Sequence, residues 1–314
     1  MFLIVSKEDF AMMLSTMPSM VRFTAELVGW IENHLESPLM INDVTAKSGY
    51  SKWHLQRLFK KETGVALGTY IRNRRLSKAA IELKLTSQTI QDVALRYCFD
   101  SQQSFTRTFK KHFGMSPGHY RRASFWDFSS LQPSLRADTD WLPIPELVDL
   151  PVRPTETSFF EHSQHIDDFI SANDISQRIQ WWEQASHQQD GEYAVIYSFS
   201  TVIPDANRVN RHVRLAYHMS AVDPHDHVIT DGVDSQTQTP GDRYLRFSFS
   251  GDEQEYQSFL KTIYHHILPG QAYTHINSGV LEVIRCRKNE NGKIDTGYFD
   301  VEYYAPFDRK INQQ

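Results

Sequence analysis

The sequence predicts a multidomain chain: an all-α N-terminal domain holding two helix-turn-helix motifs joined by a long helix, then an α+β domain with antiparallel sheet. Three observations predict it. A short basic segment, SKWHLQRLFKKETG from Ser51, returns as SQQSFTRTFKKHFG from Ser101, with Ser, Arg, Phe, Lys, Lys and Gly at one constant offset. The charge is split: residues 21–123 hold 17 Lys and Arg against 8 Asp and Glu, and the remainder holds 16 against 30. Apolar spacing also changes along the chain, from a helical period in the basic part to mostly alternation in the acidic part.

Residues 1–20 are expected to be a flexible N-terminal extension. They lack a basic start, an unbroken apolar stretch and a clean small-residue cleavage site, which argues against a signal peptide. No run approaches eighteen apolar residues, so no membrane span is expected. Cys98 and Cys286 form no disulfide framework, and two thiols in 314 residues fit a reducing compartment.

In residues 21–123 each copy of the repeat reads as a helix. Over 51–62, Trp53, Gln56, Arg57 and Lys60 share one face, with Lys52 flanking; Leu55, Leu58 and Phe59 lie opposite. Over 101–112, Gln103, Thr106, Arg107 and Lys110 share a face, flanked by Gln102, with Phe105 and Phe109 opposite. Ser51 and Ser101 are placed to cap, and Gly64 and Gly114 to terminate. Each helix follows a shorter one, INDVTAKSGY (41–50) and IQDVALRYCFD (90–100), with Asn42 and Thr89 as expected caps. Helix, tight turn and second helix with a polar outer face make a helix-turn-helix. Gly49 eases the first turn; the second is one residue longer, with Cys98 where a glycine would serve.

Between the copies, LGTYIRNRRLSKAAIELKLTS (67–87) reads as one amphipathic helix with Tyr70, Ile71, Leu76, Ala79, Ala80 and Leu83 apolar and Arg72, Arg74, Arg75 and Lys78 charged. About 18 helical residues span roughly 27 Å, close to the about 34 Å between successive major-groove faces on one side of a duplex. The exposed side chains suit double-stranded DNA: Arg pairs with guanine, Gln with adenine, and Thr and Trp carbons meet a thymine methyl, while lysines hold phosphates. One chain would then present two reading helices, as a monomer.

The residues GYSKWHLQRLFKKETG (49–64), YIRNRRLSKAA (70–80) and FDSQQSFTRTFKKHFGMSPGHYRR (99–122) resemble the AraC/XylS family of bacterial transcription regulators. The resemblance implies a regulator, an activator in the first instance, that binds promoter DNA and works with RNA polymerase, in the cytoplasm at the nucleoid, on stress or antibiotic-resistance genes. It puts base contacts at Trp53, Gln56 and Arg57, then at Gln102, Gln103, Thr106 and Arg107; Lys52, Lys60, Arg72 and Lys110 complete the expected DNA-binding set.

Residues 124–150 are Pro-punctuated and read as a linker running into a first strand. In residues 151–314, strands are expected where Val195, Tyr197 and Phe199 alternate, and likewise Val213 to Met219, Leu245 to Phe249 and Phe299 to Tyr303. Two helices are spaced by Ile175, Ile179 and Trp182 and by Tyr256, Phe259, Leu260, Ile263 and Ile267. GDRYLRFSFSGDEQEYQSFLKTIY (241–264) and FDVEYYAPF (299–307) resemble GyrI-like effector domains, which implies a groove for a small amphipathic or cationic organic molecule, with aromatic faces and often a carboxylate. The expected ligand residues are Trp181, Trp182, Tyr197, Phe247, Glu302 and Tyr303, although strand parity turns Glu302 away from Tyr303.

No catalytic residues, metal or cofactor are expected. His225, Asp226 and His227 in DPHDHV, and the His265–His266 pair, do not make a ligand set. Two other functions stay open: a constitutive DNA-binding protein whose second domain senses nothing, and a GyrI-like hydrolase acting on small molecules.

Overall fold

The structure, a computed structural model, describes residues 19–39, 41–123, 125–135, 143–149, 158–170, 172–186, 192–203, 211–222, 243–269, 273–276, 279–291 and 293–309. The helical part runs α1 (Ser19–Glu32), α2 (Ile41–Ser48), α3 (Lys52–Thr63), α4 (Leu67–Leu85), α5 (Ile90–Arg96), α6 (Gln102–Phe113) and α7 (Pro117–Arg122). The sheet part runs β1 (Phe125–Asp127), β2 (Glu146–Asp149), β3 (Ser158–His165), α8 (Ile166–Ile170), α9 (Ile175–Ala185), β4 (Tyr193–Ile203), β5 (His212–Val222), β6 (Arg243–Gly251), α10 (Glu253–Thr262), a π turn (Ile263–Ile267), β7 (Tyr273–Ile276), β8 (Val280–Lys288) and β9 (Ile294–Arg309).

The repeated helices start and stop for the same local reasons. The hydroxyl of Ser51 accepts from the His54 amide and that of Ser101 from the Ser104 amide. Gly64 and Gly114 both end their helices at φ 75°, each returning its N–H to the carbonyl four residues back. Thr89 caps α5 through the Asp92 amide. The expectation at Asn42 needs correcting: α2 begins at Ile41, so Asn42 falls inside the first turn. The turn geometry follows the sequence, with Gly49 at φ 69° and Cys98 at φ 61°, both left-handed.

Helix α4 is the spine. Its first half shares a core with α1 and α3 through Leu27, Val28, Ile31, Leu55, Phe59 and Tyr70. Its second half meets Phe105, Phe109 and Phe113 of α6, and that cluster continues without a break into the sheet domain. Helix α1 was not singled out from the sequence; it opens at Ser19, just inside the expected extension.

The strands pair antiparallel in the order β2-β6-β9-β8-β4-β5-β3, and β7 with β1 extends the end of β9. One face of the sheet carries Ile196, Leu215, Phe247, Ile284, Phe299 and Val301 and is covered by α9 and α10. The other carries Tyr197, Tyr244, Leu281, Val283 and Tyr304. Helix α10 opens on a capping box between Asp252 and Glu255. Strands β3, β7 and β8 were not anticipated.

The expected linker is not free of the domains it joins. Phe125–Asp127 pairs with β7, and Phe128 and Leu131 are buried. The Gln132 amide donates to Ser77 Oγ at 2.8 Å, Arg74 donates to the Gln132 carbonyl at 2.6 Å, and the Leu135 amide donates to the Tyr70 hydroxyl at 3.2 Å. Its second segment lies against α4 because Ser77 and Arg74 offer it hydrogen bonds that water would otherwise make.

Candidate nucleic-acid interface and interdomain cavity

On α3, Lys52, Trp53, Gln56, Arg57 and Lys60 are exposed, while Leu55, Leu58 and Phe59 are buried. On α6, Gln102, Gln103, Arg107 and Lys110 are exposed and Thr106 is half-buried, above Phe105, Phe109 and Phe113. Trp53 is 65% exposed, a large apolar surface on the polar face of α3. The Arg57 guanidinium lies over its ring, 5.3 Å from the centroid. That contact holds the long Arg side chain on the polar face before anything binds. Lys60, Lys61, Lys110 and Lys111 occupy the last turns, where the helix dipole favours cations.

The charges of α4 divide differently from expectation. Arg72 is exposed. Arg75 instead donates to the carbonyls of Leu35 (2.9 Å) and Ser37 (2.6 Å). Arg74 is buried in a pair with Glu32, 2.8 Å apart, and Glu32 also accepts from the Tyr70 hydroxyl at 2.6 Å. Burial alone would raise the Glu32 carboxyl; Arg74 and Tyr70 more than offset it and hold it below the ordinary value of 4.5. Lys78 is turned inward, and burial followed by the neighbouring Arg74 lowers its pKa.

Lys78 faces a cavity of about 140 Å³ between the two domains. One wall is α4, with Ser77, Lys78, Ile81 and Leu85; the docked linker adds Phe128 and Leu131. The opposite wall is the sheet, with Val202, Leu215 and Val280, and Tyr264 from the π turn. Gly279 at the rim has φ 88°, and a Cβ there would come within 2.7 Å of Phe199, Ser200 and Thr201. The floor is polar. Glu282 on β8 is buried, bonded to the Arg178 guanidinium and accepting from the Tyr256 hydroxyl at 2.5 Å; its Oε2 has no hydrogen-bond partner among the described residues. Arg178 lies 5.8–5.9 Å from the ring centroids of Trp182, Tyr217 and Tyr256. Burial pushes the Tyr256 and Tyr217 hydroxyls well above 10, with Glu282 and Asp174 adding to it respectively.

Of the six residues expected to touch a ligand, Tyr303 lines this cavity, its hydroxyl 2.5 Å from that of Tyr264. The other five do not line it. Trp182 and Phe247 are fully enclosed in the core. Trp181 packs between Phe160 and Tyr217. Tyr197 sits in the cluster on the far face of the sheet, and Glu302, opposite Val283, shares that face, as strand parity requires. The carboxylate on the cavity side is Glu282, which the sequence reading missed. Its signal was there: VLEVIRC is apolar on both faces, with one acid where a core residue belongs.

A second polar cluster ties the domains together. Arg211, preceding β5, bonds Glu82 of α4 and Glu36, each at 3.2 Å, and Asp167 at 3.1 Å. Arg96 of α5 lies 3.4 Å from Glu82, which also accepts from Tyr97 at 2.9 Å. Among the described residues no cluster of three metal-ligating side chains occurs and no helix is long and apolar enough to cross a membrane. His225, Asp226 and His227 lie outside the described residues, and the side chains of His265 and His266 are not described.

A family described as a helix-turn-helix domain matches residues 44–123, and one described as an integron-associated effector binding protein matches residues 171–306. Over 247 residues the chain is 36% identical to the Right origin-binding protein of Escherichia coli (strain K12), covering 78% of this chain and 83% of that one. It is 37% identical over 251 residues to the Transcriptional regulator Rob of Salmonella typhimurium, with the same coverage. The Multiple antibiotic resistance protein MarA of Salmonella typhimurium is 54% identical over 95 residues, 30% of this chain and 75% of MarA.

Proposed function

Since the chain belongs to the AraC/XylS family of DNA-binding transcription regulators, with a Rob-type effector-binding domain behind the DNA-binding unit, we propose that it binds promoter DNA as a monomer through α3 and α6 and answers to a small molecule held by its second domain. The observation that carries this reading is the pair of exposed basic helices, capped alike and held on one rigid connector. The 19 residues of α4 span roughly 28 Å, which suits two reading helices set about one duplex turn apart. Trp53, Gln56 and Arg57, then Gln102, Gln103, Thr106 and Arg107, read bases; Lys52, Lys60, Arg72 and Lys110 hold phosphates. The protein works in the cytoplasm at the nucleoid, as an activator that engages RNA polymerase at stress or resistance promoters. The name of its relative MarA supports that last assignment.

The comparisons support sensing over hydrolysis: the relatives matched across both domains are named as an origin-binding protein and a transcriptional regulator.

The test is binding to a duplex selected by the full chain from a random-sequence pool. With about six phosphates neutralised, log K should fall against log salt with a slope of about −5. Lys60→Ala should weaken every sequence alike and flatten that slope by about 1, while Arg57→Ala should relax preference at one base pair by about 1–3 kcal/mol. No selectable duplex, or a slope near zero, overturns the reading.

A further inference from the structure

The two reading heads have separate apolar cores strung along α4, one around Leu27 and Phe59 and the other around Phe105 and Phe109. A single side chain of the sheet domain touches both. In the first head, Arg75 holds the carbonyls of Leu35 and Ser37 in the turn after α1, and Glu36 lies between them. The second head presents Glu82 of α4 and Arg96 and Tyr97 beside it. Across both lies Arg211. Its Nη2 donates to Glu36 Oε1 at 3.2 Å and to Glu82 Oε2 at 3.2 Å. On its own side, its Nη1 donates to Asp167 at 3.1 Å and its carbonyl accepts from the Ile166 amide at 2.8 Å, so α8 anchors it.

The partners of Arg211 have little to replace it. Glu82 is fully buried, and among the described residues its hydrogen bonds come from Tyr97 and Arg211, both to Oε2, with none at Oε1. Arg96 supplies charge without a hydrogen bond, its Nε 3.4 Å from Glu82 and its Nη1 3.8 Å from Glu36. Burial alone would lower the pKa of the Arg211 guanidinium; Glu82 and Glu36 more than offset it and hold it above its ordinary value. Without Arg211 two carboxylates, one from each head, would face each other and repel.

We propose that Arg211 is a positioning residue for DNA reading: one guanidinium, anchored in the second domain, fixes the separation of the two reading heads by holding Glu36 of the first against Glu82 of the second. The proposal rests on the function above, in which both heads read one duplex, and adds the part that sets their spacing. Two linked modules gain affinity at the spacing their connection fits. A stiff tie sharpens that preference and a loose one spreads it.

The experiment uses the full chain and the selected duplex, in which Arg57→Ala and Arg107→Ala locate the two half-sites by the base pair where each relaxes preference. One base pair is then inserted between the half-sites, which shifts the second groove by about 3.4 Å and turns it by about 35°. In the unaltered chain the insertion should weaken binding about tenfold, the order of one mismatched base pair. In Arg211→Met and in Glu36→Ala it should cost about threefold or less, while affinity for a duplex with the first half-site alone stays within about twofold. Arg211→Lys, which keeps a cation between the two acids, should fall nearer the unaltered chain. Glu36→Ala leaves buried Glu82 bonded to Arg211, so it tests the tie even where Arg211→Met fails to fold; circular dichroism checks each variant. A second measurement needs no DNA. Spin labels on Lys61→Cys and Lys111→Cys, with Cys98→Ser and Cys286 left buried, read the distance between α3 and α6, and its distribution should broaden in Glu36→Ala. An unchanged spacing penalty or an unchanged distance distribution in folded Glu36→Ala overturns the proposal. If no duplex can be selected, the function above falls instead, and the label distances still decide whether the tie positions the heads.

Discussion

At the scale of single residues, the two turns between paired helices show what a repeat preserves and what it lets drift. Gly49 and Cys98 sit at φ 69° and 61°, the same left-handed bend made by different residues. Nothing lies within 4 Å of where a Gly49 Cβ would stand, so substitution there is opposed by backbone conformation alone. Gly49→Ala should therefore cost about 1–2 kcal/mol, read from denaturant unfolding. Cys98→Gly should relieve a similar strain against about 0.5–1 kcal/mol of added chain entropy, leaving stability equal or slightly higher. A clear loss would show that the thiol side chain holds something in place. The turn, both serine caps and both C-terminal glycines were legible because their causes lie within four residues. Glu282 was overlooked: the lone acid in VLEVIRC marks a buried carboxylate, but its partner Arg178 stands 104 residues away, so the local sequence does not say what neutralises it.

At the scale of elements, α4 shows the limit of reading charge from periodicity. Arg72, Arg74, Arg75 and Lys78 look equivalent in sequence, yet only Arg72 is exposed. The others turn toward Glu32, the carbonyls of Leu35 and Ser37, and the cavity. Arg74 and Arg75 are covered by α1 and the residues after it, and Lys78 faces the second domain; neither neighbour is visible to a local period. The Arg74–Glu32 pair is buried on both sides. Arg74→Met should cost about 3–5 kcal/mol by stranding the carboxylate, and the double variant with Glu32→Leu should recover most of it. Because the folded Glu32 value is depressed below 4.5, its stabilisation is complete above that pH and is lost as pH falls through the folded value. Unfolding measured from pH 6 down to 3 should decline below about 4.5 in the wild type and less steeply in Glu32→Gln.

At the scale of the whole molecule, the two-domain plan and the antiparallel sheet were legible from charge and alternation, but the strength of the join was not. Proline spacing suggested a linker running into a first strand. Instead one apolar cluster runs from Leu76 through Phe128 and Leu131 into the sheet, and Arg211 bonds across the boundary to Glu36 and Glu82. Residues 19–123 should fold and bind DNA, since the reading heads have their own core. A fragment extended to residue 135 should melt several degrees higher, because it keeps Phe128 and Leu131 over α4 and the hydrogen bonds to Ser77 and Tyr70. Equal melting temperatures would show that the linker contributes nothing without the sheet behind it.

The duplication on α4 has one more consequence. A repressor made of two identical chains reads a palindrome, and its site looks the same from either end. Here the two faces differ, Trp53, Gln56 and Arg57 on one and Gln103, Thr106 and Arg107 on the other, and they are fixed in order along a single helix. On the proposed function, in which both faces read bases, the site has an arrow. Reversing it in a promoter would leave affinity untouched and swing the second domain, with whatever it touches, to the opposite flank of the DNA.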